Sequence, residues 1–253
     1  MLAAAVLVPY AWWRGSLATR GMVKWIVMLG VNLALVGVTF YWVIERLGVG
    51  PGATIQFLGP VLVLGWMVLV QGRTVGPIAW ASALLAVAGV GLVSRFWDIG
   101  SLDIVGIAIG LISAALLASY LLIAEHLGRE LEAATIMAWG FVVASLFWLV
   151  AQPLWSFPVD LPGAVWAKLV WVGIAGTAVP FLVEAAALRR ASSGVVAVVA
   201  TAEPVIGAAA AWVLIDQALL PVQILGSLMV VAGVASIQRW GLPEHEVPYD
   251  AAR

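Results

Sequence analysis

One carboxylic acid stands in the middle of an apolar run that is long enough to cross a membrane. The run covers residues 194–215, and Glu203 lies near its centre, directly before Pro204. A proline inside a helix frees the carbonyl four residues earlier, here that of Ala200, and bends the helix. A charged, unpaired carboxyl at this depth is costly. Glu203 therefore predicts either a group that exchanges protons or binds substrate, or a neutral side chain that hydrogen-bonds the backbone freed by the proline.

Other polar side chains inside apolar runs are secondary candidates for a transport path. Glu184 lies four residues before the end of its run, close to Arg189 and Arg190, and indicates either a solvated helix end or a cavity carboxyl. Isolated polar groups in membrane helices mostly hydrogen-bond to a neighbouring helix. Four such groups nevertheless remain candidates for lining the path: Asn32, Gln56, Tyr120 and Thr201.

Among these four residues Tyr120 is favoured, because its helix carries small residues at four-residue spacing, which lets a neighbour pack closely and leaves another face for a cavity (Gly106, Gly110, Ala114, Ala118). Two tryptophans are further candidates. Most of the 14 tryptophans predict anchors at the membrane interface. Trp42 and Trp139 lie deeper in their runs, where each could stack on an aromatic or cationic substrate.

The composition is that of a polytopic membrane protein. Of 253 residues, 64% are hydrophobic and 10% are charged, against roughly a quarter charged in soluble domains. The net charge of −1 gives a nucleic-acid partner no support, and there is no cysteine. The two histidines, His126 and His245, fall outside the apolar runs, so we expect no metal site and no cofactor. No catalytic pattern such as His-Glu-x-x-His is present, so we expect no enzyme.

The elements that position these residues are apolar runs of helical length. The first run has about 13 residues, which is shorter than the roughly 20 that a spanning helix needs. Eight longer runs follow, at 23–44, 52–71, 77–94, 104–124, 133–151, 165–188, 194–215 and 221–238. Nine of the twelve basic residues fall on one side if the C-terminus is cytoplasmic, and three fall on the other. Because basic residues concentrate on the cytoplasmic side, we expect a multi-pass protein of the cytoplasmic membrane with a cytoplasmic C-terminus.

The chain also repeats itself at an offset of 144 residues. Residues 46–95 align without gaps on 190–239, which matches Pro60 with Pro204 and Gly89 with Gly233. Five helices separate the paired elements, and an odd number inverts the second copy, as in many secondary transporters. We therefore expect an incomplete first repeat at 1–95, a second repeat at 104–239 and a cytoplasmic tail at 240–253. If the repeats are equivalent, we expect the first copy to be short of one helix and part of the next, about forty residues that would precede Met1.

The matched segments carry a family resemblance. The second copy reads SSGVVAVVATAEPVIGAAAAWVLIDQALLPVQILGSLMVVAGV over 192–234, with a small-residue entry, Glu-Pro in the membrane, an acidic turn, a proline and a terminal Ala-Gly. It resembles the EamA-like transporters of the drug/metabolite transporter superfamily. The first copy, 48–90, departs from this motif because Gly59 replaces the glutamate at 203. The resemblance implies an all-α membrane fold of ten helices in two inverted five-helix repeats.

The functional hypothesis that follows is a secondary transporter. We expect it to export a small metabolite or drug by alternating access, with proton coupling through Glu203 as a further hypothesis. Its expected partners are a small-molecule substrate, the lipid bilayer, protons and, as an open alternative, further copies of the chain. Two other readings remain: a truncated or non-transporting relative of the family, and an integral membrane enzyme.

Overall fold

The computed structural model describes residues 1–97, 103–158, 160–215 and 218–240. Every regular element within these ranges is helical. The turn at residues 216–217 lies outside the described residues, and so does the predicted tail beyond Trp240. The all-α architecture predicted from the apolar runs is therefore confirmed for the described chain.

The helices follow the predicted runs closely. Among the described residues, seven helical stretches are long and apolar enough to cross a membrane. Helix α5, with 17 residues, extends about 25 Å. The helices are α1 Leu2–Trp13, α2 Val23–Leu47, α3 Val49–Gln56, α4 Gly59–Leu69, α5 Pro77–Val93, α6 Ile104–Gly128, α7 Ala133–Ala151, α8 Gly163–Gly173, α9 Val179–Leu188, α10 Ser193–Ala200, α11 Glu203–Ile215 and α12 Pro221–Trp240.

Two spans are broken near their middle, at equivalent positions of the repeat. The chain leaves α3 at Phe57 and enters α4 at Gly59, and it leaves α10 at Thr201 and enters α11 at Glu203. The two breaks lie 144 residues apart, which is the offset of the repeat. Each of the two prolines stands at the second position of the helix that follows, where its missing N–H loses no partner. The paired prolines thus end one half-helix and begin the next.

Helices α5 and α12 pack at very short range through small residues. A Cβ on Gly89 would lie 2.6 Å from the Gly226 carbonyl oxygen, and one on Gly233 would lie 2.7 Å from the Ser82 carbonyl oxygen. Ser82 on α5 faces Gly233 on α12, whereas Gly89 faces Gly226. The two helices therefore run antiparallel. Ser82 and Gly226 are mates at the offset of 144, as are Gly89 and Gly233, so the contact is reciprocal. Inversion of the complete repeats stays a prediction.

Contacts divide the chain into two compact units. One unit comprises Met1–Gly37 and Tyr120–Arg190, and the other comprises Val38–Ser119 and Ala191–Arg253. The boundaries fall inside α2 and α6, so each of these helices contributes to both units. The units therefore follow packing, whereas the predicted repeats at 1–95 and 104–239 follow sequence similarity.

Candidate functional site

Glu203 lines an open cavity of about 340 Å³ in the second unit. Three elements form its walls: α3 with Phe57, the end of α5 with Ser94, and the first turns of α11. Apart from the carboxyl of Glu203 and the hydroxyl of Ser94, the lining side chains are apolar or absent (Val49, Gly50, Ala53, Phe57, Val93, Pro204, Ala208). The cavity thus presents one acidic group to an otherwise apolar surface.

The helix break explains why this carboxyl reaches the cavity. Thr201 and Ala202 make tight backbone hydrogen bonds to the carbonyls of Val198 and Val199, at 3.1 and 3.0 Å. The break places Glu203 at the start of α11 with an exposed side chain. Within the described part of the chain, the Glu203 carboxyl makes no hydrogen bond and no ion pair. The proposed bond to backbone freed by Pro204 is therefore not among its contacts.

Close packing of α3 against the end of α5 shapes the opposite wall. A Cβ on Gly50 would lie 1.9 Å from the carbonyl oxygen of Ser94. The Thr54 hydroxyl donates to the Gly50 carbonyl at 3.0 Å, within α3. Only glycine permits this approach, so residue 50 determines how near the two walls come to each other.

The equivalent position in the first copy has a different environment. Gly59 is buried, and a Cβ there would meet Leu117 Cδ2 at 3.3 Å and the Ala114 carbonyl oxygen at 3.6 Å, both on α6. A glutamate at 59 would have to displace α6. The repeat therefore keeps a carboxyl only at residue 203, where the cavity has room for it.

A second polar contact brings together two of the predicted residues in the first unit. The Tyr120 hydroxyl on α6 donates to Glu184 Oε2 on α9 at 2.9 Å. Tyr120 is only 1% exposed, and its ring meets Phe181 edge-on at a centroid distance of 5.7 Å. Phe181 also meets Phe141 at 5.4 Å. The carboxylate of Glu184 is thus held beside an aromatic cluster.

The helix that carries Glu184 is irregular just before it. Residues Ile174–Ala178 form a π-helical turn between α8 and α9. Pro180 follows two residues later and lacks an N–H to donate, which favours a widened turn. The Thr177 hydroxyl donates to the Val172 carbonyl at 3.0 Å. Such turns are frequent at functional sites, and this one ends six residues before Glu184 in the chain.

Two other predicted residues, Gln56 and Thr201, make hydrogen bonds within the second unit. Gln56 donates from Nε2 to the Ser113 hydroxyl at 3.0 Å, and both side chains are buried. The Thr201 hydroxyl is buried and donates to the Val198 carbonyl at 2.5 Å. Neither residue is among those that line the cavity.

The two deep tryptophans and Asn32 have different surroundings. The Trp139 indole N–H donates to the Leu17 carbonyl oxygen at 3.1 Å. Trp42 is 55% exposed, whereas Asn32 is buried in α2. None of the three lines the cavity at Glu203.

Sequence reasoning did not single out several residues that the structure places in polar contacts or in the cavity. Glu125 is buried and pairs with Arg129 at 3.1 Å, one helical turn away. An acid and a base four residues apart at a helix end carry this signal in the sequence. Phe57 and Ser94 line the cavity, and Phe57 is detectable as the repeat mate of Thr201.

Asp103 directly precedes α6 and lies outside the membrane-spanning segments. Its Oδ1 accepts the Gly106 N–H at 2.9 Å, and its Oδ2 accepts from Arg46 at 3.0 Å. The bond from the Gly106 backbone, followed by that from Arg46, holds the pKa of the Asp103 carboxyl below its usual range. The carboxylate therefore caps α6 in its charged form.

Long apolar helical spans indicate a polytopic membrane protein, and paired breaks with a carboxyl facing a cavity are typical of the transporter class. Comparison with known proteins makes this specific, because the model of the EamA-like transporter family matches residues 1–95 and 104–238. The chain belongs to the EamA-like transporter family.

Curated relatives and a solved structure agree with this membership. The threonine/homoserine exporter RhtA of Escherichia coli K12 is 27% identical over 210 residues, which covers 80% of this chain and 67% of that protein. The exporter of the same name from Salmonella typhimurium LT2 is 25% identical over 209 residues, with the same two coverages. A crystal structure with 18% identity superposes with a TM-score of 0.79 over 93% of this chain and 83% of the other, which shows the shared fold.

Proposed function

We propose that this membrane transporter exports a small metabolite or drug across the cytoplasmic membrane by alternating access, with Glu203 as the group that exchanges a proton. The observation that carries the proposal is the carboxyl of Glu203 opening on a cavity near the middle of its span. A carboxylate in apolar surroundings is stabilised either by a proton or by a cationic substrate group. Competition between the two would couple substrate release to proton uptake.

Two broken spans supply the moving parts in this proposal. The breaks at residues 57–58 and 201–202 stand at equivalent positions of the repeat. A break with tight local turns can absorb a change of backbone angle while the half-helices on either side stay rigid. Exposure of the cavity to alternate sides of the membrane would follow from bending at both breaks.

The relatives suggest which substrates to test first. Those proteins are named as exporters of threonine and homoserine, so both amino acids belong in a panel together with organic cations. The Tyr120–Glu184 pair is the second candidate for a substrate-binding carboxyl, because it joins a fixed carboxylate to an aromatic cluster. We propose the same orientation as the basic residues indicate, with a cytoplasmic C-terminus.

The test is transport by purified protein in proteoliposomes with and without an imposed pH gradient. We expect wild type to move a panel substrate faster with the gradient. Glu203→Gln should lose this stimulation and keep gradient-independent exchange, because glutamine preserves shape but cannot take up the proton. Glu132→Gln is the matched control, since Glu132 is an exposed carboxyl in the α6–α7 turn.

Two outcomes would contradict the proposal. A Gln variant at residue 203 that responds fully to the gradient would remove Glu203 from coupling. Absence of flux for every panel substrate with folded wild-type protein would favour the non-transporting alternative.

A further inference from the structure

We propose that the cavity at Glu203 binds a singly charged organic cation with an apolar body in preference to a zwitterionic amino acid. The inference rests on the proposed function of the same cavity and specifies its substrate class. It differs from what the names of the amino-acid exporters suggest, because it is argued from the groups that line this cavity.

The lining determines the apolar part of the ligand. Val49, Ala53 and Phe57 face the cavity from α3 and the break after it, and Val93 and Ala208 face it from α5 and α11. Such a surface favours apolar ligand atoms, which leave water on binding. The volume of about 340 Å³ lies at the lower end of the range for small-molecule sites, about 300–1,000 Å³. One ring with a short substituent is the size of ligand that this space accommodates.

The charges determine the polar part. Glu203 is the one acidic residue in the lining, and none of the nine lining residues is basic. The nearest basic residues along the chain are Arg46, which is paired with Asp103 at 3.0 Å, and Arg95, which follows Ser94 at the end of α5. An ammonium group beside Glu203 would neutralise the carboxylate without a second charged partner.

A zwitterion fits the same lining poorly. Its carboxylate lies only a few bonds from its ammonium, so placing the ammonium at Glu203 brings two carboxylates close together in apolar surroundings. Like charges at such a separation repel each other, and the apolar walls of the cavity screen this repulsion less than bulk water does. The Ser94 hydroxyl is the one neutral side-chain donor in the lining, and a single neutral hydrogen bond compensates a desolvated carboxylate incompletely.

Phe57 adds a reason for an aromatic or quaternary cation. Its half-buried ring lines the cavity together with Glu203. Quaternary ammonium groups bind well where an aromatic face and a carboxylate are both within reach. Position 203 provides the charge and position 57 the face, although the two residues belong to different copies of the repeat.

The test measures binding of three probes to the purified full chain in detergent micelles by titration calorimetry. Benzyltrimethylammonium is a permanent cation with one ring, phenylalanine carries the same ring on a zwitterion, and threonine is a zwitterion without a ring. We expect benzyltrimethylammonium to bind at least about tenfold more tightly than phenylalanine. Glu203→Gln should abolish this preference.

A pair of size variants checks that binding occurs in the cavity. Ala208→Leu places a larger side chain in the lining and should weaken benzyltrimethylammonium binding at least about tenfold. Ala209→Leu is the matched control, because Ala209 neighbours it on α11, is exposed and does not line the cavity. Its binding should equal that of wild type.

Three results would overturn the inference. They are equal affinity for phenylalanine and the cation, cation binding that survives Glu203→Gln, and loss of cation binding in lipid bilayers, which would mean that acyl chains fill the cavity. The proposed function is judged separately. Export of amino acids that depends on Glu203, without cation binding, leaves that function standing and removes the inference. Cation binding that depends on Glu203, without transport of any panel substrate, leaves the inference standing and removes the proposed function.

Discussion

The contact between α5 and α12 provides the sharpest test of the packing. In Gly89→Ala, the new Cβ would lie 2.6 Å from the Gly226 carbonyl oxygen, 2.8 Å from Val230 Cγ2 and 2.9 Å from Val230 N. The first distance is about 0.8 Å short of the 3.4 Å at which ordinary contact begins. Two of the three atoms are backbone, so the helices themselves must separate.

The expected magnitude is a balance of two effects. Overpacking of this kind costs about 1–3 kcal/mol, and a clash with backbone belongs at the upper end of that range. Replacing glycine by alanine in a helix stabilises by about 1 kcal/mol. We therefore expect Gly89→Ala to lower the free energy of unfolding by about 2 kcal/mol.

The reciprocal geometry extends the prediction to the partner helix. A Cβ on Gly226 would lie 2.6 Å from the Gly89 carbonyl oxygen and 2.9 Å from Val93 N. Gly226→Ala should thus destabilise by a similar amount. The double variant should lose less than the sum of the two, because the first substitution already moves the helices apart.

Gly65→Ala is the matched control. Gly65 lies in α4, and a Cβ there would meet nothing within 4 Å, so the substitution should stabilise by up to about 1 kcal/mol. The assay is unfolding in mixed micelles of increasing denaturing-detergent content, followed by tryptophan fluorescence. Equal or greater stability of Gly89→Ala, with Gly65→Ala behaving as expected, would refute the close antiparallel contact.

Three further predictions concern the Asp103 carboxyl, the Tyr120 hydroxyl and the orientation of the C-terminus. The backbone hydrogen bond from Gly106, followed by Arg46, lowers the pKa of the Asp103 carboxyl in the folded protein. The charged carboxylate therefore stabilises the folded protein fully at pH values above its ordinary pKa of 3.8. This contribution to the free energy of unfolding is lost as the pH falls through the folded-state pKa. Asp103→Asn should therefore flatten the acid limb of a plot of unfolding midpoint against pH, and an unchanged limb would contradict this. Tyr120→Phe removes the donor to Glu184 and should lower the free energy of unfolding by about 1 kcal/mol, measured in the same micelles; wild-type stability would mean that the bond contributes nothing. A reporter fused after Arg253 should be active in the cytoplasm, and external activity would reverse the proposed orientation.

The sequence was sufficient to predict where the chain is helical and that prolines bend two of its helices, although the structure shows full breaks at these two places. Long apolar runs can satisfy their backbone in lipid only as helices or closed barrels, and the observed bounds follow the runs. Pro60 and Pro204 mark breaks 144 residues apart because proline can neither donate to nor fit within an uninterrupted helix. These features depend on local chemistry, which a single sequence carries.

Only the tertiary structure determined what each polar side chain faces. Tyr120 and Glu184 meet although 64 residues separate them, and Glu203 opens on a cavity whereas its mate Gly59 packs against α6. A helix that is apolar on all sides has no polar stripe to mark its inward face. The facing of each group is therefore set by contacts with helices distant in sequence, and these contacts exist only once the helices have packed.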